Sequence, residues 1–321
     1  RGIVRAVSLI ANQVPRIKHV SVRIPTAIAK MFVNPILKVV YLCLTIQLLS
    51  SLSDAVAADR NHKLEHEPKR VFLTGGSGFL GRNIIRHYVA KGIPVHALAR
   101  SAAAKQVVES LGAIGFIGDL SELGALQTAA RGGDVAIHSA AYVKIWGDLG
   151  TARTVTVQGT RNVVIAAANE GVRRVIHVGT EAGCVTSSGA PVVNLDETTP
   201  LPDVAFAGIY STTKNEAEKA ALLMGSEHGV DVVVVRPRLI WGRDDSVFLP
   251  KLIEAANTGV LSWFDGGEYK QSTVHVDNVV EGIVKAIAVG TPGAAYFITD
   301  GQPVVFKQFV SKLLLSVDVK P

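Results

Sequence analysis

The chain has 321 residues, 48% of them hydrophobic and 19% charged, enough apolar material for a sizeable globular core. Its net charge of +6 hints at nucleic acid until it is located: residues 1–58 carry seven basic side chains against Asp54, and residues 59–321 balance to zero. A basic nucleic-acid footprint is therefore not supported, and Cys43 and Cys184, far apart and without a C-x-x-C, argue against a disulfide framework or a zinc site.

The chain opens on Arg1 rather than Met, as a sequence incomplete at its start would. Residues 1–38 are basic, acid-free and broken by Pro15, Pro25 and Pro35. Val39–Ser53 is uncharged, but its fifteen residues fall short of the roughly 17–25 that a spanning helix needs. Three readings stay open: a membrane anchor or interfacial helix over residues 36–53, a targeting segment with an Ala-Val-Ala cleavage site at 55–57, or a transit-type presequence. Membrane association or organelle targeting is expected in preference to a buried helix. Residues 59–68 read as a polar linker. His62 and His66 in it stand four apart but do not form H-E-x-x-H, and no metal is expected.

Val71–Leu73 is a short apolar run, as expected of a strand buried on both faces of a parallel sheet. Gly75, Gly76, Ser77, Gly78, Phe79, Leu80 and Gly81 bring a glycine turn, and apolar positions from Phe79 to Val89 then repeat at helical spacing. The glycines satisfy both G-x-G-x-x-G and G-x-x-G-x-x-G, in the strand–turn–helix context that the dinucleotide fingerprint requires. A pyrophosphate reaches backbone N–H groups at a helix N-terminus only where no Cβ intervenes. Strand and helix then alternate: strands at 94–99, 113–117, 135–139, 174–179 and 231–236, helices at 102–111, 121–130, 154–170 (closed by Gly171) and 210–228. That alternation predicts a doubly wound parallel α/β sheet. A strand at 295–299 and a helix at 305–315 follow. The loop 181–208 is rich in Gly, Ser, Thr and Pro and is expected at the carboxyl edge of the sheet.

An NAD-preferring fold places an acidic residue about 20 positions past the glycines. Arg100 stands there, and a guanidinium suits a 2′-phosphate, so NADP is expected over NAD. Arg82 offers a second contact, and Asp119 suits the adenine amine. Tyr210 and Lys214, at i and i+4, share a helix face thirty residues beyond Thr180, which ends a strand. A phenol with a pKa near 10 needs help at neutral pH, and the ammonium is expected to supply it. The Thr180 hydroxyl would orient a substrate carbonyl, with hydride passing to or from a nicotinamide.

From about Lys69 onward the chain resembles the extended short-chain dehydrogenases/reductases. The resemblance rests on Thr74–Gly81, Gly118-Asp119-Leu120, Asp134–Ala141, Thr180, Tyr210-x-x-x-Lys214, Arg236–Gly242 and Val274–Val279. It implies a catalytic set of Thr180, Tyr210 and Lys214. It also implies a cofactor site formed by the glycine turn, Arg100, Asp119, Leu120, His138, Ala140, Ala141, Tyr210, Lys214, Arg236 and Pro237. By the same resemblance, residues 69–240 form the Rossmann domain and 241–321 an interleaved small C-terminal substrate part, truncated relative to relatives. Thr180 replaces a common serine, and Thr156 stands where relatives often carry asparagine. The tract Arg236-Pro237-Arg238 and His177–Glu181 resemble the 3β-hydroxysteroid dehydrogenase-like and dihydroflavonol-reductase-like branch, which implies a lipophilic small-molecule substrate. A nucleotide-sugar epimerase/dehydratase is the alternative enzyme, and a non-catalytic NADP-binding sensor or scaffold the alternative from another class. A homodimer through the helices at 154–170 and 210–228 is a family expectation.

Overall fold

The structure, a computed structural model, describes residues 67–185, 193–203 and 208–321. The expected anchor or targeting segment and nearly all of the linker lie outside the described residues, as do parts of the 181–208 loop. Among the described residues no helix is long and apolar enough to cross a membrane.

The core starts with β1 (Val71–Thr74), buried at every position, which runs through the glycine turn into α1 (Phe79–Ala90). There follow β2 (Val95–Ala99), α2 (Ala102–Ser110), β3 (Ile114–Ile117), α3 (Leu123–Ala130) and β4 (Val135–His138). Next come α4 (Leu149–Arg153), a π-helical turn (Thr154–Gln158), α5 (Gly159–Asn169), β5 (Arg174–Val178) and a 3₁₀ turn (Glu181–Cys184). The Rossmann portion ends with α6 (Gly208–His228) and β6 (Asp231–Pro237). Among the described residues, seven strands form one parallel sheet in the order β10-β6-β5-β4-β1-β2-β3, where β10 is Ala295–Ile298. This is the doubly wound sheet that the strand–helix alternation predicts, and its strand order reverses between β1 and β4, where such folds hold their ligands.

Alternate strand positions feed two cores. Val71, Leu73, Ile137, Ile176 and Val233 pack with Ile84 and Ile85 of α1 and with Val279 and Ile283 of α8 (Val276–Val289). Phe72, Ala136, Val175 and Val232 pack with Leu126, Val163 and Ala221 on α3, α5 and α6. The C-terminal part is interleaved: α8 and β10 join the main layers, while the remaining elements stand beside the sheet edge. These are β7 (Leu239–Trp241), paired in parallel with β9 (Thr273–His275), and β8 (Lys270–Gln271), paired antiparallel with β11 (Val304–Val305). With them stand α7 (Leu249–Asn257) and α9 (Phe306–Leu315). Asp300 ties β7 and β9 to the start of α8, accepting hydrogen bonds from Trp241 Nε1 (3.0 Å), the His275 N–H (2.8 Å) and Asn278 Nδ2 (2.7 Å).

One helix boundary differs from the sequence reading by more than two residues. The helix expected from Thr154 begins at Leu149, because the Asp148 carboxylate caps it by accepting from the Thr151 N–H (2.6 Å). Its π turn widens at Thr156, the asparagine position of relatives, and the Thr156 hydroxyl accepts from the Tyr142 N–H (3.0 Å).

Candidate active site

The glycine turn is built for close approach. Gly75 has φ +76°, and a Cβ on it would lie 2.8 Å from the Ala140 nitrogen, so only glycine lets the turn lie against the end of β4. A Cβ at Gly81 would lie 2.1 Å from the Gly75 carbonyl oxygen. Gly78 caps α1 and is exposed; a Cβ there would meet just the Gly75 carbonyl, at 3.3 Å. The turn is thus packed too closely on its own backbone for side chains at Gly75 and Gly81, and it leads into a helix N-terminus of the kind that suits a pyrophosphate. The Arg82 Nε donates to the Ser77 carbonyl (2.8 Å), holding its guanidinium beside the turn, and Arg100 is exposed at the end of β2. Phe79 and Leu80 begin α1, with Leu80 in the core.

Several residues carried over from the resemblance serve the fold visibly. Asp119 closes a tight turn, accepting from the backbone N–H (3.0 Å) and hydroxyl (2.9 Å) of Ser121. Leu120 is buried against Gly159 of α5. The Arg236 guanidinium is buried on the Glu218 carboxylate, with contacts of 3.1 and 2.5 Å, beside buried Pro237. Ala140 and Ala141 lead the chain out of β4 past the glycine turn.

His138 is a strut. The register sets Thr74, His138 and His177 in one row across β1, β4 and β5. Thr160 Oγ1 donates to the Thr156 carbonyl (2.6 Å), so it accepts from His138 Nε2 (2.9 Å), and the Thr74 hydroxyl donates to His138 Nδ1 (2.7 Å). This network assigns the Nε2–H tautomer. Burial, with the Lys214 charge nearby, pushes the imidazole down to about 3, and the same causes, together with His138 itself, push His177 well below the usual histidine range.

The catalytic candidates meet at the carboxyl end of β5. Thr180 follows Gly179 in extended backbone, its hydroxyl accepting from the Ala182 N–H (3.3 Å) and hydrogen-bonded to the Tyr210 phenol. Tyr210 lies in the first turn of α6. Lys214, one turn on, is buried, but its Nζ donates to the Val178 carbonyl (2.5 Å). The strand carbonyl thus holds the ammonium in place without neutralising it, and the phenol is raised rather than lowered from its usual range. Burial pushes the phenol up, the Thr180 hydrogen bond opposes this, and the Glu181 charge adds to the rise. The lysine is itself pulled down to about 8 by burial, opposed by Glu218. Spacing alone set both residues on one helix face, whereas the backbone oxygen that captures the ammonium comes from a strand 36 residues away.

Sequence reasoning gave no role to Glu181, buried and ion-paired with Arg238. A charged residue directly after the strand-ending threonine was the available signal. Asp300 had none, since its donors are distant in sequence. Tyr269, near enough to Arg238 to feel its charge, stacks on Phe306 (5.1 Å between centroids), with Phe248 near Phe306 (6.4 Å).

The family model described as "3-beta hydroxysteroid dehydrogenase/isomerase family" matches residues 72–321. The chain is 44% identical over 251 residues to a 4-hydroxy-2-methyl-3-oxo-4-farnesyl-3,4-dihydroquinoline-1-oxide ketoreductase of Stigmatella aurantiaca, covering 78% of this chain and 74% of the relative. It is 31% identical to a 3-beta-hydroxysteroid dehydrogenase of Mycolicibacterium neoaurum, covering 77% and 70%. Among solved structures it resembles the dTDP-glucose 4,6-dehydratase DesIV of Streptomyces venezuelae, solved with NAD and TYD bound. There the TM-score is 0.65 at 25% identity, over 78% of this chain and 82% of that one.

Proposed function

The chain belongs to the 3-beta hydroxysteroid dehydrogenase/isomerase family and is a dehydrogenase/reductase of the extended short-chain type that uses NAD(P), and from that premise we propose that it reduces a ketone on a lipophilic small molecule, with Tyr210 as proton donor. The observation that carries this reading is the buried phenol hydrogen-bonded to Thr180 at the carboxyl end of β5. A phenol that keeps its proton at neutral pH can give it to a ketone oxygen, and takes it back when the reaction runs in reverse. Thr180 would orient the substrate carbonyl, and Tyr210 would pass its proton to the carbonyl oxygen. Lys214, fixed to Val178, would hold the helix turn in register and present an ammonium at the cofactor side. The glycine cradle from Gly75 to Gly81 would hold the pyrophosphate. The bound nicotinamide supplies the hydride.

Arg100, exposed where an NAD-preferring relative would carry an acid, supports NADP over NAD. Arg100→Ala should weaken NADP about tenfold or more and leave NAD nearly unchanged; equal losses for both would reverse the preference. The aromatic cluster of Tyr269, Phe306 and Phe248 in the C-terminal part supports a lipophilic substrate over a nucleotide sugar, whose diphosphate needs basic partners. Two further parts of the reading rest on sequence: membrane association through residues 36–53, read by vesicle flotation of the full chain, and a homodimer along α5 and α6, read by sedimentation. The central test is NADPH oxidation with a 3-ketosteroid and a 2-alkyl-3-oxoalkanoate. Tyr210→Phe should abolish turnover while leaving cofactor affinity intact; turnover that persists removes the proton donor, and a protein that binds NADP but reduces no ketone is the sensor.

A further inference from the structure

The connection from β4 to α4, residues 139–148, passes from the cofactor turn to the helix that carries Tyr210. Near its start, a Cβ on Gly75 would lie 2.8 Å from the Ala140 nitrogen. Further along, a Cβ on Gly208, two residues before Tyr210 in α6, would lie 3.9 Å from the Ile145 carbonyl oxygen. The loop is held in place. The Tyr142 N–H donates to Thr156 Oγ1 (3.0 Å), and Asp148 caps α4. Gly147, at φ +143°, makes a turn in which a Cβ would lie 2.5 Å from the Tyr142 hydroxyl oxygen.

On this pinned loop, three apolar side chains within four consecutive residues are exposed: Val143 (67%), Ile145 (56%) and Trp146 (83%). Single exposed apolar residues are ordinary, whereas a contiguous group beside a reaction centre marks a binding surface. A membrane fits it less well than a ligand does. Anionic membrane surfaces are met by clusters of basic residues, and here exposed Lys144 is offset by exposed Asp148. Continuity favours the ligand: the loop approaches the first turn of α6, whose Tyr210 is hydrogen-bonded to Thr180.

We propose that Val143, Ile145 and Trp146 seat an apolar chain carried by the ketone substrate, so that the β4–α4 loop sets the chain length the site prefers. The proposal rests on the reading of Thr180 and Tyr210 as the groups that hold the carbonyl. With the carbonyl fixed at the end of β5, a chain of several methylenes extends past the start of α6 onto the loop, and a short chain stops before it. Each methylene that lands there leaves water together with the side-chain surface it covers, and that burial drives binding. A loop already pinned at Tyr142, Gly147 and Asp148 gives up little freedom when the chain arrives.

The test uses the full chain and a series of straight-chain 2-alkanones, which share one ketone head and differ in apolar length alone. In the NADP complex, where no hydride is available, Trp146 emission is read as the difference between the parent and Trp146→Phe. A long 2-alkanone should move that emission to shorter wavelength and shield it from acrylamide, and a short one should do neither. With NADPH, kcat/KM of the parent should rise about two- to fourfold for each methylene that reaches the loop. Ile145→Ser combined with Trp146→Ser should bring that factor to about 1.5 or less, checked for folding by a thermal melt. Leu223→Ser is the control: that side chain is 52% exposed on the same helix as Tyr210 but thirteen residues on, about 20 Å along the axis, and it should keep the parent slope. Unshielded emission with the long ketone overturns the proposal, and so does a loss equal at every chain length. A parent slope in the double variant, accompanied by lost vesicle flotation or altered sedimentation, gives the loop to a membrane or a second copy and overturns it too. If shielding and slope behave as stated while Tyr210→Phe keeps its turnover, the proton-donor reading falls and the seat stands.

Discussion

A methyl group at Gly81 tests the cofactor cradle directly. A Cβ there would lie 2.1 Å from the Gly75 carbonyl oxygen and 2.6 Å from the Gly76 Cα, where ordinary contact begins at 3.4 Å. The turn must therefore open by about 1.3 Å. Neither side can yield cheaply. Gly75 is already against the Ala140 backbone, and α1 is fixed at its start by Arg82 N–H donating to the Gly78 carbonyl (3.0 Å). A movement of that size takes turn N–H groups out of reach of a phosphate. Hydrogen bonds to charged groups contribute about 1.5–3 kcal/mol each, so losing two costs about 3–6 kcal/mol, or roughly 10²- to 10⁴-fold in Kd. Calorimetric titration of NADP and NAD into Gly81→Ala, beside a thermal melt to check folding, measures this. Gly124→Ala on α3 is the control: its Cβ would meet nothing within 4 Å, and it should leave affinity unchanged. A folded Gly81→Ala that binds dinucleotide within about threefold of the parent refutes the reasoning.

Removing the Glu218 carboxylate with Glu218→Ala strands a guanidinium of which 6% is exposed, at a cost of about 3–5 kcal/mol, or roughly 10 °C in Tm. Arg153→Ala, on a pair whose side chains are 51% and 32% exposed, should cost under about 1 kcal/mol, and equal losses in the two variants would contradict the burial argument. Acid should destabilise the fold before any carboxylate titrates. His138 binds its proton near 3 when folded and near 6.5 when unfolded, so its contribution is complete above about pH 6.5 and is lost as pH falls towards 3. That slope is about 1.4 kcal/mol per pH unit for each such histidine, and His177 adds in the same direction. Melts from about pH 7 down to pH 5 should fall steeply, and less steeply in His177→Gln; parallel curves would show that His177 does not titrate with unfolding.

The sheet was legible because its signals are local. Val71–Thr74, the glycines and the alternating apolar runs each declare an element within a few residues, and Gly171, at φ +74°, closes its helix as expected of a C′ glycine. The meeting of Tyr210 with Thr180 followed from where strand and helix end. What escaped were partners distant in sequence. Lys214 turns to Val178, Arg236 to Glu218, and His138 to Thr74 and Thr160, and no spacing rule encodes those distances. The start at Leu149 was hidden because Gly150 and the polar residues after Asp148 carry no apolar period. Asp119 and Leu120 match the family motif, yet their visible contacts close a turn and fill the core, work that a motif cannot distinguish from ligand binding.

The donors in the Thr74–His138–Thr160 row all point the same way, which gives this internal brace a polarity. Moving the ring proton to Nδ1 would leave a lone pair facing a lone pair at the Thr160 end, since that hydroxyl already donates to Thr156. Phenylalanine would fill the volume but take the acceptor from the Thr74 hydroxyl and the donor from the Thr160 oxygen; asparagine is too short to span from strand to helix. The mechanics of the sheet thus impose a histidine at this place, whatever reaction is carried out above it.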